Sequence, residues 1–258
     1  MQPEPAPLRL VVVMALALVL TGCVAGQARQ TAEAEEQESA ADINLRLAQG
    51  YLEQGRLEIA QDRINRALVM EPRNPKAFTL MGVLQEKIGD VPRAGEFFRR
   101  AAEAAPRSGV YLQNYARWLC RAQRYEEAEA HFERALADPF YDTPNLALLN
   151  SAICARSSGN RDLAEARFRT VLQRQPEHAE ALFQLASIQF EKGQFLRARA
   201  FLQRLEANAT LDPEALRLGH KIEQEMGNND AAQNYLRRLR ESFPDSEQAR
   251  SLDPSEKS

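Results

Sequence analysis

The chain has 258 residues, 33 basic against 36 acidic side chains, and a formal net charge of −3. That near balance excludes the net basic face that nucleic-acid binding requires. Aromatics make up only 7% and glycines number 12, while Ala, Leu, Glu, Gln and Arg dominate, so propensity favours helix throughout.

The N-terminus reads as a targeting segment. Arg9 precedes an apolar run over residues 10–20 that closes on Leu20, Thr21, Gly22 and Cys23. The run falls short of the ~20 apolar residues a spanning helix needs, so residues 1–22 are expected to be a cleaved secretory signal. Small residues followed at once by cysteine resemble the bacterial lipobox. That resemblance implies a diacylglycerol on the Cys23 sulfur and a third acyl chain on the amine freed by cleavage. At ~0.8 kcal/mol per buried CH₂, three chains exceed what stable anchoring takes. Val24 stands where an Asp would be a sorting signal, so the same resemblance implies the periplasmic face of a Gram-negative outer membrane. An ordinary signal peptide with a coincidental cysteine is the alternative. Residues 23–41 are polar and carry Glu33, Glu35, Glu36 and Glu38, and are expected to form a solvated, lipidated tether.

From there alanine returns on a fixed beat at Ala60, Ala94, Ala128, Ala164, Ala198 and Ala232. The spacing is 34 residues apart from one slip of two between Ala128 and Ala164. That period belongs to the tetratricopeptide repeat (TPR), a pair of antiparallel helices that buries its apolar face only by stacking on neighbours. The expected fold is all-α, a right-handed superhelical solenoid of six such pairs over residues 42–245, with 246–258 as a polar tail. With each alanine at position 20, units begin near Ala41, Pro75, Gly109, Asn145, Ala179 and Pro213. Leu47, Ala48 and Tyr51 then mark the packing stripe of the opening helix, with Ala60, Ile64 and Ala67 on the helix after it. Met81, Gly82, Ala94 and Phe98 repeat the pattern, as do Tyr115, Ala116, Ala128 and Phe132. Small residues at positions 8 and 20 allow close helix approach. The sixth unit departs, with Gly219 and His220 at positions 7 and 8. Gly55, Gly89, Gly159, Gly193 and Gly227 are placed to end first helices in the left-handed conformation. Asp90, Asn160 and Asn228 are placed to start the second helices.

Nothing in the chain raises catalysis. His131, His178 and His220 fall in different units without metal-ligand spacing, and there is no phosphate loop or nucleophile elbow. No catalytic residue, metal, cofactor or small-molecule substrate is expected, and a binding scaffold is expected in place of an enzyme. In this repeat family, positions 2, 5, 9, 12 and 13 of first helices line the concave groove. Here they hold Val110, Leu146, Leu149, Ile153, Phe183 and Phe190, with Arg117, Arg121 and Arg156 among them. Apolar anchors beside guanidinium groups suit a peptide that offers apolar side chains and carboxylates. Asn114 and Asn150 share position 6, where by resemblance to peptide-binding members an asparagine holds a ligand backbone. Packing between stacked repeats is the competing role for all of these. Cys120 and Cys154 lie on adjacent first helices; a periplasmic disulfide and a pair of free thiols both remain open.

One stretch narrows the reading. Residues 112–120 read Leu-Gln-Asn-Tyr-Ala-Arg-Trp-Leu-Cys, and residues 135–150 include Asp138-Pro-Phe-Tyr-Asp-Thr-Pro144. With the lipobox, the six repeats and the extension of two residues after unit three, this resembles the type IV pilus biogenesis and stability lipoproteins, the pilotins of PilW/PilF type. Gln113 and Ala116 depart from the Asn-Asn-Tyr-Gly of that family. The resemblance implies an outer-membrane lipoprotein that binds the pilus secretin and aids its localisation and multimerisation. An envelope adaptor for another assembly, such as a cell-wall synthase, is the alternative; a hydrolase hidden between repeats is the more distant one.

Overall fold

A computed structural model describes residues 38–251. Cys23, the signal segment 1–22, nearly all of the tether and the end of the tail lie outside the described residues. Among the described residues there are thirteen helices and no strand, arranged as TPR-type pairs. The chain divides between Pro72 and Arg73 into two compact units.

The first unit holds α1 (Ala40–Glu53) and α2 (Leu57–Met70). Ser39 caps α1, its hydroxyl accepting the Asp42 N–H at 3.0 Å. Leu45, Ala48 and Leu52 of α1 are buried, as are Ala60, Ile64 and Ala67 of α2. Two expectations are corrected here. The helix already includes Ala40 and buried Ala41, so the tether stops short of residue 41. Leu47 is 37% exposed, and Leu45 and Leu52 take its place in the packing stripe.

The second unit contains five pairs. They are α3 (Pro75–Ile88) with α4 (Val91–Ala104), α5 (Gly109–Arg121) with α6 (Tyr125–Leu136), and α7 (Pro144–Ser157) with α8 (Arg161–Arg174). Then follow α9 (Ala179–Glu191) with α10 (Phe195–Asn208), α11 (Pro213–Glu225) with α12 (Asn229–Ser242), and the short α13 (Glu247–Ser251). Asn74 and Asp212 cap α3 and α11 by accepting the N–H of Ala77 and Ala215, each just ahead of a proline that needs no partner. Asp90 and Asn160 cap α4 and α8 as expected. Asn228 does not: its amide donates to Glu223 Oε2 at 2.8 Å, so no side-chain bond caps α12.

The repeating alanines Ala94, Ala128, Ala164, Ala198 and Ala232 are all buried, and Phe98, Phe132 and Phe168 fill the space one turn further on. Gly82 shows why position 8 stays small, since a Cβ there would fall 2.8 Å from the Phe98 ring. The last pair solves the same problem differently. Gly219 makes room for Tyr235, and buried His220 bonds through Nδ1 to the Ala232 carbonyl at 2.9 Å.

Every first-helix turn takes a left-handed residue at position 15. Five are glycine, with φ between 70° and 86°; the sixth is Gln123 at 61°. The tail also departs from expectation: α13 buries Ala249 against the last pair, and Gln248 donates to Glu214 at 2.7 Å.

Candidate partner-binding face

The first helices α3, α5, α7 and α9 are stitched to one another by side chains that the spacing had assigned to a ligand. Glu86 on α3, with a side chain only 14% exposed, accepts from Arg117 at 3.2 Å and from Arg121 at 2.9 Å, both on α5. Arg156 on α7 reaches across to α9, bonding Ser187 at 2.8 Å, Glu191 at 2.6 Å and the Gln184 amide oxygen. Arg161 completes the Glu191 pairing at 3.1 Å. The three arginines expected to meet ligand carboxylates are therefore occupied within the protein. The offsets explain why: a carboxylate and a guanidinium about one repeat apart become neighbours once first helices stack.

Between α5 and α7 the structure also brings Cys120 and Cys154 to disulfide distance, with Cα atoms 5.7 Å apart.

The apolar residues split into two groups. Val110, Leu146 and Ile153 are 43%, 47% and 36% exposed and stand free on α5 and α7. Leu149, Phe183 and Phe190 are half-buried and pack against the core, so they form the floor and not the lip. Phe190 meets Phe195 with ring centroids 5.6 Å apart. Asn114 and Asn150 are half-buried, and neither side chain has a hydrogen-bond partner among the described residues. The face thus offers exposed apolar side chains, two free amides and cations already neutralised. That combination suits an extended segment that is apolar and largely uncharged, with backbone groups for the amides.

Behind this face lies a polar cluster that the periodicity did not reveal. Arg167 on α8 is buried, pairing with Glu129 and Glu133 of α6, while Ser151 donates to Glu129 at 2.9 Å. The one signal in the sequence was Ser151 itself, a hydroxyl at position 7, where other repeats of this unit place Met81, Tyr115 or Leu185. Sequence reasoning also missed the geometry of the loop after α6. There Asp138 accepts the N–H of Gly109 at 2.7 Å and of Phe140 at 3.0 Å. These two bonds hold its carboxyl below the usual carboxylate range. Tyr235 is pushed the other way, first by burial and then by the Glu206 carboxylate it donates to.

Among the described residues no cluster of three or more His, Cys, Asp or Glu could hold a metal. No helix there is long and apolar enough to cross a membrane.

Tetratricopeptide-repeat family profiles match residues 45–108, 155–222 and 215–246. The crystal structure of PilW, described as a widely conserved type IV pilus biogenesis factor, superposes with a TM-score of 0.77. It is 32% identical, over 83% of this chain and 98% of that one. This chain is a tetratricopeptide-repeat protein homologous to PilW and PilF. The type IV pilus assembly protein PilF of Pseudomonas aeruginosa is 23% identical over 92% of this chain and 95% of its own length. The solved structure of PilF superposes with a TM-score of 0.75 at 22% identity.

Proposed function

We propose that this protein is a scaffold for type IV pilus biogenesis, anchored through acylated Cys23 in the outer membrane. In this reading it binds the pilus secretin and aids its localisation and multimerisation. The observation that carries the reading is likeness at full length: both the PilF and PilW comparisons span more than nine-tenths of the relative. The acyl chains localise the protein, residues 24–37 give reach, and the α5–α7–α9 face holds an exposed secretin segment until assembly.

The chemistry of that face refines the ligand. Arg117, Arg121 and Arg156 are spent on Glu86 and Glu191. An acidic segment would have to compete with Glu86 and Glu191 for these guanidinium groups, exchanging one partly exposed pair for another with little net gain. An extended apolar segment instead covers Val110, Leu146 and Ile153 and takes hydrogen bonds from Asn114 and Asn150. Burying the exposed parts of three such side chains contributes roughly 25 cal/mol per Å² covered, and pairing the amides adds orientation.

The test is the double variant Leu146→Asp with Ile153→Asp, which alters exposed positions and leaves the half-buried floor intact. Secretin co-purification should fall at least tenfold while helical content and thermal midpoint stay near wild type, a loss of about 1.4 kcal/mol or more. Undiminished secretin binding would remove the contact from this face. Recovery of a peptidoglycan synthase in place of secretin would move the protein to the cell-wall adaptor role.

A further inference from the structure

The loop that interrupts the repeat period does more than add length. Residues 137–143 present Phe140 at 89% exposure, the most exposed large apolar side chain among the described residues. The linkers at residues 71–74 and 175–178 carry no aromatic residue. A single exposed apolar residue is ordinary; what sets this one apart is how firmly it is held. Asp138 clamps the loop through the N–H of Gly109 and of Phe140 itself. The neighbouring Tyr141 is buried over Gly109, where any Cβ would fall 2.5 Å from the ring. Arg134 is fixed to the Pro106 carbonyl at 2.9 Å. An exposed ring on a backbone already held in place costs less ordering on binding than one on a free loop, which suits an interface anchor.

Phe140 forms one wall of a surface cleft of about 430 Å³ that also includes Pro106, Pro139, Arg107 and Arg134. Both oxygens of the cleft's only carboxylate, Asp138, are taken by backbone N–H groups. Arg107 forms no salt bridge among the described residues, although its charge acts on the Asp138 carboxylate, and Arg134 uses one N–H on Pro106, so the two guanidinium groups outnumber the one carboxylate. The charge left to offer is positive, beside ring surfaces of proline and phenylalanine. We propose that this cleft is a second docking surface, taking an extended protein segment that carries an apolar side chain next to a carboxylate. The apolar group stacks on Phe140 and the prolines while the carboxylate pairs with Arg107. This ligand is acidic, whereas the one suited to the α5–α7–α9 face is largely uncharged, so the two surfaces discriminate between segments. The proposal does not depend on the secretin reading.

The test places the photo-crosslinking residue p-benzoylphenylalanine at position 140 of the full chain in its native host. A second chain carries it at Leu196, which is 74% exposed on α10 and serves as a control for general stickiness. Adducts at 140, absent at 196, should join one protein through a peptide that contains an acidic residue beside an apolar one. Arg107→Glu should cut their yield about tenfold, and Arg107→Lys should restore most of it, because the pairing needs charge more than fork geometry. The proposal is overturned by the absence of any adduct, by equal adducts at both positions, or by a yield indifferent to Arg107→Glu. Adducts solely to lipid, or solely to a second copy of this chain, overturn it as well.

Discussion

The α5–α8 region and the α9–α12 region follow the same period, yet they handle departures from it in opposite ways. In α11 and α12 the irregular pair Gly219 and His220 is absorbed internally, by Tyr235 filling the space and by a bond to the Ala232 carbonyl. In α5–α8 the departures turn outward or toward neighbours. Ser151 feeds the Arg167 cluster, Gln123 takes a glycine's conformation, and the longer linker projects Phe140. A repeat array tolerates irregularity wherever nearest neighbours compensate for it. The two surfaces proposed above for binding lie where irregularity leaves side chains exposed.

The largest difference between the regions should lie in covalent stitching. If Cys120 and Cys154 are bridged, the purified protein takes up no thiol label when denatured without reductant. Reduction should then lower stability by roughly 3.5–4 kcal/mol in the chain-entropy model for a separation of 34 residues. Uptake of two labels would contradict the bridge and leave α5 and α7 joined by packing alone.

Next comes the buried cluster. Arg167→Ala leaves Glu129 and Ser151 facing each other without a cation. Removing one partner of a buried pair typically costs ~3–5 kcal/mol, which the exposure of Glu133 trims to about 2–3 kcal/mol. Denaturant unfolding with an unchanged slope is the measurement, and a loss within 0.5 kcal/mol or so would make the cluster a surface feature. The α9–α12 region has a pair of its own, buried Glu223 with Arg199 at 3.0 Å, as the point of comparison.

The turns permit a reciprocal exchange. Gln123→Gly should stabilise the protein by about 0.5–1 kcal/mol, because a side chain in the left-handed region costs more than glycine's extra chain entropy. Gly193→Gln, at the matching turn of the regular region with φ 70°, should destabilise by a similar amount. Equal and opposite shifts in the unfolding midpoint would show that the two turns differ only in residue. A Gln123→Gly variant no more stable than wild type would show that the glutamine contributes something else there.

The smallest effect is local and depends on pH. Asp138 is held below the ordinary carboxylate range by two backbone donors. Its contribution is therefore present above that range and lost as pH falls through the lowered value. Protection of the Gly109 amide against hydrogen exchange, relative to the intrinsic rate at each pH, should be high at neutral pH and fall in acid. Asp138→Asn should already exchange faster at neutral pH.

These regions also differ in how much of them the sequence disclosed. The alanine lattice, the small residues at position 8 and the four glycine turns of the second unit follow from steric rules tied to period, and the structure places them accordingly. The pairing of Arg117 and Arg121 with Glu86 was hidden, because it depends on which faces of stacked helices meet and not on any local pattern. Gln123 was hidden for a related reason: the lattice imposes its conformation against its own propensity. At the ends, Leu47 misled because it is exposed where Met81, Tyr115 and Leu185 at the same position are buried. Ala249 lay in a segment too short and polar to signal a helix, which forms by docking on the last pair.

Secretin assembly is the role proposed for the exposed strip on α5 and α7. Its most direct measurement is the amount of heat- and detergent-resistant secretin multimer in outer membranes from three strains. One is wild type, one lacks this protein, and one carries Leu146→Asp with Ile153→Asp at wild-type protein level. The account predicts loss of the multimer in the deletion strain, its return with the wild-type chain, and loss again with the double variant. Normal multimer in the deletion strain would contradict the claim outright, and normal multimer with the double variant alone would place the work on another surface.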